Sequence, residues 1–195
     1  MKRRVGVLAL QGAFREHRQA LEKLGCEVVE VRTRADLENI EGLIIPGGES
    51  TTIGKLFQID GMGDKVKELA SKDLPIFGTC AGMILLSKQI ENSDQYRLGL
   101  MEVTVKRNAF GRQVASFETD LNIPALGSEP VRAVFIRAPF ISKVAPNVGI
   151  LAEHEGKIVF VRQGNMLASA FHPELTPDTR VHEYFLKIIE ENSTK

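Results

Sequence analysis

Apolar residues follow two different patterns along this chain. In the first half they form short continuous runs of strand length: "RVGVLAL" (4–10), "CEVVEVR" (26–32), "EGLII" (41–45) and "LPIFG" (74–78). Stretches with helical spacing lie between them. "AFREHRQALEKLG" sets Phe14, Leu21 and Leu24 on one face and stops at Gly25. "MGDKVKELASKD" does the same with Met62, Val66, Leu69 and Ala70, and "AGMILLSKQI" (81–90) reads as a helix throughout. Strand–helix alternation with fully apolar strands predicts a parallel sheet covered on both faces. In the second half apolar and polar residues alternate instead, in "LGLMEVTVKR" (98–107) and "RQVASFETDL" (112–121), as in half-exposed antiparallel strands. "VRAVFIRAP", "GILAEHE", "KIVFVRQ" and "MLASAFH" are further strands, the last two joined by a hairpin turn at "QGN" (163–165). A closing helix is expected from Thr176 as cap, Pro177 in the first position and Asp178 at the positive dipole end. Val181, Tyr184, Phe185, Ile188 and Ile189 mark its buried face, and "NIPALGSEP" (122–130) is the most loop-like stretch. No repeat or linker interrupts this order, so residues 1–195 read as a single three-layer α/β domain.

Composition narrows the function classes. Twenty-five basic residues balance 25 acidic ones, which leaves no surplus of positive charge for nucleic acid. No apolar run nears the roughly 20 residues that span a membrane. Lys2, Arg3 and Arg4 precede an apolar run, but Gln11 and Gly12 end it after Leu10, so a strand is expected there rather than a signal peptide. The 2 cysteines, Cys26 and Cys80, form no metal-ligand spacing with the 4 histidines. A cytoplasmic protein with reduced thiols and no metal or cofactor is the expectation.

Cys80 stands where an apolar strand meets a helix, within Gly-Thr-Cys-Ala-Gly. This is the cysteine counterpart of the G-x-S-x-G elbow, where a nucleophile sits on a tight turn and its neighbours two positions away must be small. The helix start supplies unpaired N–H groups, Ala81 first, that suit a thiolate or an oxyanion. The stretch alone leaves a second reading open, since free cysteine is among the most buried residue types. Cys26 lacks the elbow and reads as structural.

A cysteine nucleophile needs a base, which can come from anywhere in the chain. His17 lies on or beside the apolar face of the first helix, His154 falls in a charged turn, and His182 is expected at the rim of the last helix. His172 opens "HPE" after a strand. Pro173 makes this tripeptide extended, so Glu174 projects to the same side as His172 and can hold its tautomer. A plain turn after a strand is the alternative. "PGGES" (46–50) follows another apolar strand. Its glycines allow close backbone approach, as a second oxyanion donor or as a simple strand-to-helix turn; the spacing of a phosphate loop is absent.

Taken together, a "PGG" turn, a G-x-C-x-G elbow and a late H-P-E resemble, in content and order, the class I (triad) glutamine amidotransferases. The blocks "LALQGAFREH", "IIPGGEST", "GTCAGMILL", "VKRNAFGRQVASFE" and "FHPEL" are similar to the subfamily that serves as glutaminase subunit of pyridoxal 5'-phosphate synthases, over nearly the whole chain. The resemblance implies a flavodoxin-like, open, mostly parallel sheet with an added antiparallel portion. It implies Cys80 as nucleophile, His172 as general acid/base and Glu174 as its orienting acid. Gly48 and Ala81 would be the oxyanion donors, with Gln11 helping to organise them. Gly48, Glu49 and Ser50 would contact L-glutamine largely through backbone groups. Arg107 would pair with the substrate α-carboxylate, beside Ile136 and Arg137. The resemblance further implies ammonia passed to a TIM-barrel synthase subunit in a large hetero-oligomer. A glutaminase for another acceptor, a cysteine hydrolase of related fold, and a catalytically silent regulatory subunit are the competing readings.

Overall fold

A computed structural model describes residues 2–108, 110 and 116–194. Five strands build the parallel half: β1 (Arg4–Leu8), β2 (Glu27–Val31), β3 (Gly42–Ile45), β4 (Ile76–Thr79) and, far later in the chain, β12 (Met166–Ser169). They lie side by side in the order β2-β1-β3-β4-β12, every adjacent pair parallel. Numbering these five strands in turn gives 2-1-3-4-5, the flavodoxin-like order, in which ligands bind beyond the carboxyl ends of the strands.

Helix α1 (Phe14–Lys23) follows β1, while α2 (Ser50–Phe57) and α3 (Met62–Ser71) both fall between β3 and β4. After β4 comes α4 (Ala81–Leu86), and α5 (Arg180–Ser193) closes the chain. Alternation along β4 sorts them into two layers. Phe77 packs against His17 of α1 and against His182 and Phe185 of α5. The next residue, Gly78, turns the other way onto Gly82 of α4, and α2 packs on α4. The expected three layers are present.

The sheet continues into its antiparallel half through β11 (Lys157–Gln163), β9 (Phe140–Val144) and β6 (Met101–Lys106), with β10 (Gly149–His154) also on β11. The β11–β12 hairpin turns on Gly164 and Asn165 as expected, with Gly164 at φ 57°. β7 (Ser116–Leu121) and β8 (Val131–Ile136) form a separate antiparallel ribbon. Ala109 and residues 111–115, part of the "VKRNAFGRQVASFE" block and the start of the expected strand 112–121, lie outside the described residues.

Three expectations change. The helix expected over 81–90 ends at Leu86: Ser87 turns extended (φ −64°, ψ 146°), its hydroxyl donates to the Ile84 carbonyl, and Ser87–Ile90 becomes β5, parallel to β6. A six-residue helix buried on all sides carries no amphipathic signal to mark its end. The closing helix starts at Arg180, not after Thr176; Thr176 is extended, and the Asp178 carboxylate receives the Arg180 backbone N–H. The expectations above place no element at α2 or β9, which the structure adds.

Candidate active site

Four loops leave the carboxyl ends of β1, β3, β4 and β12 and converge. Cys80 sits between β4 and α4 at φ 51°, a conformation that costs a non-glycine residue roughly 1–3 kcal/mol. Neighbouring structure holds it there: the Cys80 N–H donates to the Ser169 carbonyl of β12 at 2.8 Å. The two flanking glycines are steric requirements. A Cβ on Gly82 would stand 2.0 Å from the Ile45 carbonyl oxygen, and one on Gly78 would stand 2.5 Å from the backbone of Gly82. Strand β4, helix α4 and strand β3 thus meet at backbone contact, and the thiol is aimed past them.

His172 and Glu174 follow β12, but the tripeptide does not run extended as expected. Pro173–Leu175 form a short 3-10 turn, with Pro173 at its first position, and the turn rather than an extended chain brings Glu174 to His172. The His172 ring Nδ1 lies 2.6 Å from Glu174 Oε1, and both side chains are buried. Burial opposes charge on His172, but hydrogen bonds to the Cys80 sulfur and the Glu174 carboxylate outweigh it and push its pKa up to about 10. Burial likewise opposes charge on Glu174; the nearby His17 and His172 overcome it and hold the carboxyl below its ordinary range. The expected Cys80, His172 and Glu174 are therefore brought together, with His172 between the thiol and the carboxylate.

The "PGGES" turn closes the opposite wall. Gly47 lies against the His172 ring, where a Cβ would come within 2.5 Å of Cε1. Gly48 has φ 150°, and Gln11 Oε1 packs on it while accepting the Glu49 N–H at 2.6 Å. Gln11 thus acts as an acceptor that pins the turn. The Glu49 carboxylate caps α2, taking N–H groups from Thr51 and Thr52 at 3.1 and 2.8 Å and both of their hydroxyls; those hydroxyls are the main cause that lowers its pKa to about 2. That carboxylate is committed to the helix, which leaves Glu49 its backbone for a ligand.

A cavity of about 420 Å³ opens above the thiol. Gln11, Gly48, Glu49, Ser50, Cys80, Ala81, Arg107, Ile136, Arg137 and His172 all line it, together with Ile84 and Asn108. Glu174 stands behind His172. The β8 end reaches the site because the His172 N–H donates to the Val134 carbonyl, and the Ile136 carbonyl lies 3.9 Å from Cys80 Sγ. Sequence reasoning missed Gln95. Its Oε1 accepts from the Ser50 hydroxyl at 3.3 Å and from Arg107 Nη1, tying the "PGGES" turn to the segment after β6 that carries Arg107. It also missed Asn108 and Ile84, and no local signal marks any of the three. Two histidine expectations change as well. His182 is fully buried against His17 rather than at a rim, and His154 ends strand β10, partly covered by the Phe117 and Phe135 rings, rather than falling in a turn. Among the described residues no group of three or more His, Cys, Asp or Glu is placed to hold a metal ion, and no helix is long and apolar enough to cross a membrane.

Residues 7–191 match the SNO glutamine amidotransferase family. The chain belongs to that family. Its relatives within the family cover it almost end to end. It is 63% identical to the pyridoxal 5'-phosphate synthase subunit PdxT of Moorella thermoacetica, over 95% of this chain and 99% of that one. It is 59% identical to the protein of the same name from Carboxydothermus hydrogenoformans, over 94% and 96% of the two chains. Among solved structures, one titled as a glutamine amidotransferase superposes with a TM-score of 0.91 at 52% identity, covering 95% of this chain and 98% of that chain. The PurLQS structure from Thermotoga maritima, at 19% identity and a TM-score of 0.72, covers 96% and 99% of the two chains and shares the fold. The fold expected for a class I amidotransferase is the fold observed, and the chain is an enzyme of the glutamine amidotransferase class.

Proposed function

We propose that this single domain is the glutaminase subunit of a pyridoxal 5'-phosphate synthase, hydrolysing L-glutamine at Cys80 and passing ammonia to a synthase partner. Relatives named as PdxT subunits, matched over nearly their whole length, support the assignment to that assembly. The observation that carries the chemistry is the 2.6 Å contact of His172 with Glu174 beside a thiol held at φ 51°.

The steps follow from the geometry. The Cys80 sulfur, as thiolate, attacks the side-chain amide carbon of glutamine and a C–S bond forms. Negative charge moves to the amide oxygen, where the backbone N–H groups of Ala81 and Gly48 are the proposed donors. His172 holds a proton throughout the neutral range because of its raised pKa. It gives that proton to the departing nitrogen, the C–N bond breaks, and ammonia leaves a thioester. His172, now neutral, takes a proton from water as water attacks the thioester. The C–S bond breaks as glutamate departs, and the regenerated Cys80 thiolate and protonated His172 are the starting state. Glu174 keeps the ring oriented with Nδ1 toward itself and Nε2 toward sulfur.

The lining supplies recognition. Arg107 is fixed by Gln95 at the cavity wall, and its planar fork suits the α-carboxylate of an amino acid. Backbone groups of Gly48, Glu49 and Ser50 serve the amide end, and Ile136 and Arg137 line the same cavity. A free amino acid with a short uncharged side chain fits this layout. Among the described residues no second catalytic constellation that would consume ammonia is seen, which fits a separate acceptor subunit.

The deciding experiment mixes the chain with a pyridoxal 5'-phosphate synthase subunit, glutamine and the pentose and triose phosphates, and follows cofactor absorbance. Cofactor formation that needs both this chain and glutamine supports the reading. Formation with ammonium salt but never with glutamine would leave only a generic amidotransferase.

A further inference from the structure

Behind the triad lies a buried polar chain that the mechanism above does not use. His17 of α1 and His182 of α5 are both fully buried. His17 Nδ1 stands 2.9 Å from His182 Nε2. His17 Nε2 stands 3.2 Å from Thr79 Oγ1 and 3.4 Å from Glu174 Oε2, the carboxylate oxygen that His172 does not occupy. Neither Glu174 Oε2 nor His182 Nδ1 has a hydrogen-bond partner, so the 3.4 Å approach of His17 is the nearest polar contact that the second carboxylate oxygen has, at ion-pair rather than hydrogen-bond geometry.

These contacts decide where the protons sit. With one proton each, the two imidazoles allow two arrangements. In the first, His17 donates from Nδ1 to His182, so its Nε2 turns a lone pair toward an anionic Glu174, and His182 carries a buried Nδ1–H without an acceptor. In the second, His182 donates from Nε2 to His17, His17 donates from Nε2 toward Glu174 and Thr79, and the unpartnered His182 Nδ1 is only a lone pair. The second places a donor on the carboxylate and leaves the cheaper kind of orphan, since a buried unmet N–H costs more than an unmet acceptor. Burial lowers the pKa of both rings, that of His182 to about 3, in keeping with two neutral rings beside one charged carboxylate.

We propose that His17 is a positioning residue for this glutaminase: its Nε2–H fixes the second oxygen of Glu174, and His182 sets the His17 tautomer. This rests on the glutaminase reading of the site. A donor facing the otherwise unpartnered Oε2 opposes rotation of the Glu174 carboxylate away from His172. The catalytic acid is thereby clamped to α1, the helix that begins three positions after Gln11 and so carries both ends of the site's support.

The test compares variants of the full chain in complex with its synthase subunit, by glutamate release. His17→Phe lowers kcat by roughly 10-fold, the low end for loss of an outer partner of a catalytic group, and leaves KM for glutamine unchanged. His17→Gln, whose amide N–H falls where Nε2–H was, recovers most of that loss. His17→Asn, whose amide falls at the Nδ1 position, does not. Nitrogen-15 NMR of histidine-labelled wild type needs no variant: His17 should show a pyridine-like Nδ1 and a pyrrole-like Nε2. A protonated Nδ1 on neutral His17, equal kcat for wild type and Phe variant, or equal recovery by Asn and Gln would overturn the proposal. Absence of glutaminase activity in the wild-type complex would instead overturn the reading on which it rests.

Discussion

The two halves of the sheet contribute to one cavity in different ways. The parallel half delivers Cys80, His172 and the glycine turn on buried strand ends, with backbone packed against backbone. The antiparallel half and its ribbon deliver Arg107, Ile136 and Arg137 from partly exposed segments at the open rim. On the proposed roles, chemistry falls on the closely packed half and recognition on the half whose side chains meet solvent. The difference teaches that damage to one half should stop turnover, and damage to the other should weaken substrate binding.

The sharpest way to break this contrast is Cys80→Ala. It should cut glutamate release by ~10⁴-fold or more with the fold intact, as measured by coupled assay and circular dichroism. Retained turnover would move the chemistry elsewhere. Glu174→Gln should come next, lowering kcat by about 10²- to 10⁴-fold at little change in KM, because the wrong His172 tautomer is then favoured. On the antiparallel side, Arg107→Ala should raise KM by roughly 10- to 100-fold, the range for one charge-assisted hydrogen bond pair, with a smaller effect on kcat. Steady-state kinetics over a wide glutamine range separates the two outcomes, and a change confined to kcat would erase the division. Packing provides a further contrast. Gly82→Ala pushes a methyl into the Ile45 carbonyl and should cost about 1–3 kcal/mol in urea melts, whereas Gly149→Ala meets nothing closer than 3.5 Å and should be near neutral. The gentlest test is pH. His172 is charged below a pKa of about 10, so the proton for ammonia is present at neutrality and is lost as pH rises through that value. The kcat/KM profile should hold from neutrality upward and fall on approach to pH 10; a fall centred near the unperturbed histidine value would contradict the Cys80 and Glu174 contacts.

What could be read from the sequence divides along the same line. Gly78, Cys80 and Gly82 form a local motif whose physics is complete within five residues; in His172, Pro173 and Glu174 the contact was readable, although a 3-10 turn makes it where an extended chain was expected. Each was legible, and joining them required only the assumption that strand ends meet. Gln95 could not be read in this way, because its value lies in touching Ser50 and Arg107, which sit in two other segments. The end of α4 was illegible for a related reason: buried on every side, it has no periodicity whose loss could mark its end, and the exposed Lys88 and Gln89 that follow would suit the surface of a longer helix as well as a strand. His182 looked like a rim residue because its helix was judged alone, without Phe77 and His17 over it. Local rules reach as far as local causes do.

Strand β12 enters the sheet beside β4, so residues near 80 and residues near 170 complete each other. During synthesis Cys80 emerges long before His172, and β4 has an unpaired edge until β12 leaves the ribosome, several seconds later at roughly 5–20 residues per second. A nascent or truncated chain therefore carries a cysteine without an acid–base partner and a sheet without its closing strand. The reactive centre and the finished fold arrive together, so a chain that has not finished folding has no competent site with which to release ammonia.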